Sequence, residues 1–130
     1  MTSPSDVVRF FADLLPAYRS GERDGLLAAI DALADQLLAQ RKAGIAAGPE
    51  DPRDFFPAYA ASVLHKLLRA SFAAGIAGDD VAAQEGFSLA DEAGRHAGEW
   101  ESATASGREL DADLAMAALI LLDGSLGGAD

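Results

Sequence analysis

The stretch from Pro57 to Ala77 limits the fold more than any other part of the chain. On a helical wheel, Tyr59, Val63, Leu64, Leu67, Leu68 and Phe72, with Ala60, Ala61, Ala70 and Ala74, fill a very wide arc. Only Ser62, His65, Lys66 and Arg69 make a narrow polar strip. A surface helix normally carries one apolar stripe. A helix apolar over most of its circumference must be covered on several sides. The spacing therefore predicts a central helix over residues 57–77 with other helices around it. Gly78 should stop it, because glycine enters the left-handed conformation without a Cβ clash. Asp79 or Asp80 can then cap the following helix by accepting from its free N–H groups.

That following helix is expected over residues 80–100. Ala82, Gly86, Leu89, Ala90, Ala93, Ala97 and Trp100 share one face, and Glu85, Glu92 and Glu99 form a ridge on the other. The apolar face is mostly Ala and Gly, so a neighbouring backbone can come close. Each helical glycine costs about 1 kcal/mol relative to alanine. Tight packing is expected to offset that cost at Gly86, Gly94 and Gly98. The alternative is a helix that bends or frays over residues 94–98.

The remaining helices follow from their ends and stripes. Ser3, Pro4 and Asp6 suit a helix start, with Ser3 as cap. Val7, Phe11, Leu14, Leu15 and Tyr18 share a face over residues 4–19. Pro16 lacks an N–H and should kink or end this helix near Leu15. After a turn at Ser20-Gly21, residues 22–43 show Leu26, Ile30, Leu33 and Leu37 at core spacing, with Leu27 and Leu38 widening the stripe. Gly44 should end that helix. Residues 45–53 hold two prolines and a glycine and read as a loop. Asp54, Phe55 and Phe56 read as a short helical turn interrupted by Pro57. Two adjacent aromatics cannot both face one core from one turn, so at least one lids the bundle or meets a partner.

Residues 101–107 are small and polar and read as a loop or a frayed helix end. Ser106-Gly107-Arg108-Glu109 matches a capping box, which starts a last helix over residues 107–123. Its first half sets Leu110 and Leu114 against Asp111 and Asp113. Its second half, Leu114 to Leu122, is apolar all round. Such a segment either ends deep in the fold or pairs with a second copy of the chain. The expected architecture is therefore all-α: a compact antiparallel helical bundle of about five helices. The chain of 130 residues fits a single domain.

Composition narrows the function. There is no cysteine, which excludes disulfides, thiolate metal sites and a Cys nucleophile and accords with a cytoplasmic address. No apolar run reaches the ~18 residues of a membrane span. No basic-then-apolar leader opens the chain. Residues 1–78 hold nine acids and eight bases, whereas residues 79–130 hold twelve acids against Arg95 and Arg108 alone. Nucleic-acid binding rests on Lys and Arg neutralising phosphates, so this C-terminal part should repel it. A basic protein surface should be drawn to it.

Candidate chemistry is sparse. His96 stands four residues after Glu92 and three before Glu99, so both carboxylates can reach it along one helix. Metal sites in bundles use Glu-x-x-His units from facing helices. Here the order is reversed and occurs once, so a surface Glu–His pair is expected and no metal. His65 has no carboxylate near it in sequence, and an acid from another helix is its expected partner. The acid pairs Asp31/Asp35 and Asp79/Asp80 lack the inward pattern a magnesium site requires. The glycines form neither a phosphate loop nor a dinucleotide fingerprint, and no cofactor is expected.

The residues thus point to a non-enzymatic protein-binding module whose acidic C-terminal half docks on a basic protein. Its expected contacts are Glu85, Glu92, Glu99, Asp111 and Asp113, with Phe55 or Phe56 as aromatic anchor. In general character this resembles small acidic helical proteins that neutralise toxins or nucleases, without a shared motif. Two other classes stay open. One is a homo-oligomeric scaffold subunit paired through Leu114 to Leu122. The other is a ligand-binding or hydrolytic bundle with a pocket near His65.

Overall fold

The computed structural model describes residues 3–46 and 56–127. They form five α-helices: α1 (Pro4–Ser20), α2 (Leu26–Ala46), α3 (Phe56–Ile76), α4 (Asp80–Ala105) and α5 (Glu109–Gly127). The expected helical bundle is the observed one. Among the described residues no helix is long and apolar enough to cross a membrane.

α3 is the axis of the bundle, and α1, α2, α4 and α5 all pack on it. Leu64, Leu67 and Phe72 are buried in its middle, and Ala60, Ala61 and Val63 are buried nearer its start. α2 runs antiparallel to it: Arg23, just before α2, reaches the Gly75 carbonyl, and further along Ile30 lies beside His65. α4 also runs antiparallel, with Trp100 against Phe56 at one end and Gly86 against Ser71 toward the other. α1 lies alongside α3 in the same direction, with Phe11 on His65 and Tyr18 on Phe72. α5 folds back over α4 and touches α3.

Several ends depart from expectation, each for a physical reason. α1 continues through Pro16 to Ser20. Its last turn is held from outside: the Tyr18 ring packs 4.8 Å from Phe72, and the Arg23 guanidinium lies 4.6 Å over Tyr18. Arg23 also donates to the Tyr18 and Gly75 carbonyls. That staple occupies residues 22–25, so α2 starts at Leu26, later than its stripe suggested. α2 keeps Leu26, Ile30, Leu33 and Leu37 buried, but Leu38 is exposed and does not widen the core face. It passes Gly44 and ends at Ala46; the rest of the expected loop lies outside the described residues. Pro57 sits in the first turn of α3, where its missing N–H has no helical acceptor to serve. It therefore stands at the start of the helix expected from residue 57, and Phe56, expected in a separate short turn, belongs to that helix.

α4 begins as expected, with the Asp79 carboxylate accepting from the Ala82 N–H at 3.1 Å. It runs five residues beyond Trp100, because Ala103 continues the buried face beneath α5. Residues 101–105 are therefore helix, and no fraying occurs over 94–98. At Gly86 the backbone comes so close to α3 that an added Cβ would lie 2.0 Å from the Ser71 Oγ. Around Gly98 there is open space, so tight packing does not account for that glycine.

The capping box read at Ser106–Glu109 does not form. The Ser106 N–H instead closes α4 on the Ser102 carbonyl, and Gly107 takes the left-handed conformation at φ 73°. The Ala112 N–H donates to the Arg108 carbonyl at the start of α5. A capping box does form at the other end of the chain. The Asp6 N–H donates to the Ser3 Oγ, and the Ser3 N–H to the Asp6 carboxylate.

α5 itself is the largest surprise. Leu119, Ala112 and Ala115 face inward. Small residues on the inner face of α5 let it close up on α4. The bulky Leu110 and Leu114 are left outside, with Ile120 and Leu121. The segment from Leu114 to Leu122 is thus not buried all round.

Candidate functional site

Five of the predicted contact residues remain on the wet side of α4 and α5. Glu85, Glu99, Asp111 and Asp113 are exposed, and Glu92 is half-exposed. Their common face follows from the helix geometry: positions 85, 92 and 99 recur about every two turns, and Trp100, Ala93 and Ala97 take the opposite side into the core. α5 crosses the end of this ridge. It brings Asp111 next to Glu99 along a shallow groove of about 580 Å³, lined also by His96, Ser102, Arg108 and Leu114.

Charge in this groove is only partly compensated. The Arg108 guanidinium bonds to Asp111 at 3.1 Å and reaches the Ser102 hydroxyl. His96 stands between two acids, its Nε2 3.8 Å from Glu92 and its Nδ1 3.8 Å from Glu99. These are ion-pair distances beyond hydrogen-bond reach, which is the surface Glu–His arrangement that the i, i+3, i+4 spacing implied. Among the described residues, Glu85 and Asp113 have no counter-ion, and no group of three or more His, Asp or Glu converges as a cation site.

The aromatic anchor is a correction. Phe56 is 2% exposed and stacks against Trp100 with ring centroids 4.9 Å apart. It belongs to the core, because the first turn of α3 points it under the end of α4. Phe55 lies outside the described residues.

His65 is a second correction. It is 5% exposed, and its Nε2 donates to the Ile30 carbonyl at 2.7 Å. Among the described residues no carboxylate hydrogen-bonds to it; Asp31 of α2 interacts with it through charge alone and bonds to Arg69, at 2.7 Å. That bond holds the Asp31 carboxyl below its ordinary range. A groove of about 790 Å³ runs among α1, α3 and α4 and is lined by Phe11, Leu15, Tyr18, Phe72 and Phe87. His65 lines neither this groove nor the one between α4 and α5.

At the far end of α5, Asp123 is turned inward. It accepts from the Tyr59 hydroxyl at 2.8 Å and from the Lys66 ammonium. Burial works to raise the Asp123 carboxyl, but the Lys66 and Tyr59 hydrogen bonds outweigh it and the net shift is downward. Burial first, then the same hydrogen bond, pushes the Tyr59 hydroxyl up to about 12. Sequence reasoning missed this triad, since it joins residues 64 positions apart.

It also missed the outward leucines of α5. Leu110, Leu114 and Leu121 are 71%, 59% and 73% exposed. Their signal was present: with Ala117 they are spaced by four, three and four residues, opposite the smaller line of Ala112, Ala115 and Leu119. Comparison with protein-family models, with curated proteins and with solved structures returns no match for this chain.

Proposed function

We propose that this protein is a non-enzymatic protein-binding module that docks on a basic partner through the acidic surface of α4 and α5. The observation that supports this best is the disposition of charge. Glu85, Glu92 and Glu99 stand in line along α4 with side chains in solvent. Asp111 and Asp113 extend the line onto α5, and one Arg and one His answer the five. A carboxylate already satisfied by its own chain gains little from a partner's cation. Uncompensated carboxylates on a firm helical scaffold are available to Lys and Arg of another protein and steer its approach. The catalytic alternative lacks a favouring observation, since His65 is a structural donor to α2.

The test is capture from the source lysate at low and raised salt, run with the native chain and with a Glu85→Lys/Glu92→Lys/Glu99→Lys variant. The expected result is a basic protein held by the native chain at low salt and lost both at raised salt and in the variant. Equal retention across all conditions, or retention by the variant, contradicts the electrostatic reading.

A further inference from the structure

α5 is apolar on two opposite faces. The inner one is buried against α4 and α3. The outer one presents Leu110, Leu114, Ala117 and Leu121 to solvent, with Ile120 half-exposed beside them. Their four-three-four spacing is that of a seam along which one helix seats against another. We infer that this face is a homodimer seam, crossed by α5 of a second copy in antiparallel orientation.

The area suits reversible pairing with a second copy. The outer Leu and Ile side chains expose on the order of 400 Å² per chain, about half of the roughly 800 Å² per partner of a standard interface, which places the seam among small, reversible contacts. A contiguous apolar strip of this size is near the upper end of what monomers leave uncovered.

Charge sets the direction. The first turns of α5 hold Glu109, Asp111 and Asp113, so a parallel pair would set like charges side by side. Among the described residues from Ala117 to Gly127 the one charged residue is Asp123, which is engaged by Lys66 and Tyr59 and lies within the influence of Arg41. An antiparallel pair lays the acidic end of each copy over the opposite end of the other, close to Lys66 and Arg41. A two-fold axis at Ala117 then matches Leu114 with Ile120, beside Leu121, and Leu110 with Gly124, twice over, which is the self-complementarity such a symmetric interface requires. An anionic membrane surface is a poor alternative occupant, because the flanking acids repel it. The seam is carried by the outer leucines of α5 and not by Glu85, Glu92 and Glu99 of α4, so the inference does not depend on the docking function, although Leu114 borders the groove that holds Glu99 and Asp111.

Sedimentation velocity on the intact chain over roughly 1 to 100 µM tests it, since self-association depends on concentration. The expected result is a species of twice the 13.4 kDa chain mass that gives way to monomer on dilution. Leu114→Glu with Leu121→Glu should weaken the dimer by about 100-fold or more. Because both leucines face solvent in the single chain, helical circular dichroism should be unchanged. The chain has no cysteine, so introduced thiols report the orientation. Ala117→Cys should oxidise to a linked dimer. Leu110→Cys should link to Gly124→Cys in a mixture and fail to link to itself. A native chain that stays monomeric throughout, or a dimer indifferent to the double Glu variant, overturns the seam. Self-linking of Leu110→Cys overturns the antiparallel arrangement. Dimerisation that survives the Glu85/Glu92/Glu99 reversal separates this result from the docking test.

Discussion

Two glycines of α4 should respond in opposite ways to the same added methyl group. Both stand in the interior of a helix, where Gly→Ala gains about 1 kcal/mol of propensity. At Gly98 nothing lies within 4 Å of the new Cβ, so Gly98→Ala should stabilise the protein by about 0.5–1 kcal/mol. At Gly86 the new Cβ would fall 2.0 Å from the Ser71 Oγ, 3.2 Å from the Ser71 Cβ and 3.4 Å from its Cα. Either the hydroxyl rotates away from the Leu67 carbonyl, to which it now donates at 3.1 Å, or α4 lifts off α3. The first leaves a hydroxyl unsatisfied at a position 1% exposed, at about 1–3 kcal/mol. The second costs about 1–3 kcal/mol of overpacking. Against the propensity gain, Gly86→Ala should be net destabilising by about 1 kcal/mol, a figure combined from those ranges. Urea unfolding followed by the fluorescence of Trp100, the single tryptophan, measures both variants. In a Ser71→Ala background the offending oxygen is gone, and most of the Gly86→Ala loss should disappear, a coupling of about 1–2 kcal/mol. If Gly86→Ala stabilises as much as Gly98→Ala, or costs the same with and without the Ser71 hydroxyl, the close approach of α3 and α4 is refuted.

Other consequences follow from the core and the triad at the end of α5. Phe56→Ala should lose about 3–5 kcal/mol and change Trp100 emission, because the two rings stack; a small loss would return Phe56 to the surface. His65→Leu should lose about 1 kcal/mol with the Ile30 bond and leave partner capture intact, whereas loss of capture without loss of fold would give His65 a functional role. The Tyr59 hydroxyl, raised to about 12 in the folded chain, favours the folded state fully below its ordinary value near 10. Its contribution is lost as pH rises from about 10 to 12, so alkaline melting curves should steepen there and flatten in Tyr59→Phe. Asp123 is shifted downward. Its contribution is present above the ordinary carboxylate value and lost as pH falls through the lowered one, so Asp123→Asn should remove part of the acid dependence of stability.

The sequence made the core legible where apolar side chains differed sharply from their neighbours. The α2 stripe of Leu26, Ile30, Leu33 and Leu37 is buried, and so are Ala60, Ala61, Val63, Leu64, Leu67 and Phe72 of the α3 arc, whereas Ala70 at its edge is exposed and His65 of the polar strip is buried. Legibility failed where two apolar faces competed. In α5, hydrophobicity alone favours Leu110 and Leu114 for the core, yet Ala112, Ala115 and Leu119 are the buried line, because their smaller side chains let α5 lie closer to its neighbours. Local signals failed where tertiary contacts overrode them. Pro16 did not end α1, because Tyr18 and Arg23 pin the turn beyond it. Ser106 fitted two roles, helix start and helix end, and the left-handed Gly107 gave it the second. Of the site, the acidic ridge could be read from a seven-residue spacing along one helix. The Tyr59–Asp123–Lys66 triad and the burial of Phe56 depend on how helices cross, which no local pattern encodes.

Everything placed on the outer surface of α4 and α5 follows from α3 being enclosed by four other helices. Native-state amide hydrogen exchange tests this most directly. The amides from Ala60 to Phe72 should exchange slowest in the chain, opening only with global unfolding, while those near Leu110, Leu114 and Leu121 exchange by smaller openings in the monomer. Amides of Leu64 and Leu67 that exchange as fast as those outer positions would contradict the enclosed helix and the surface built around it.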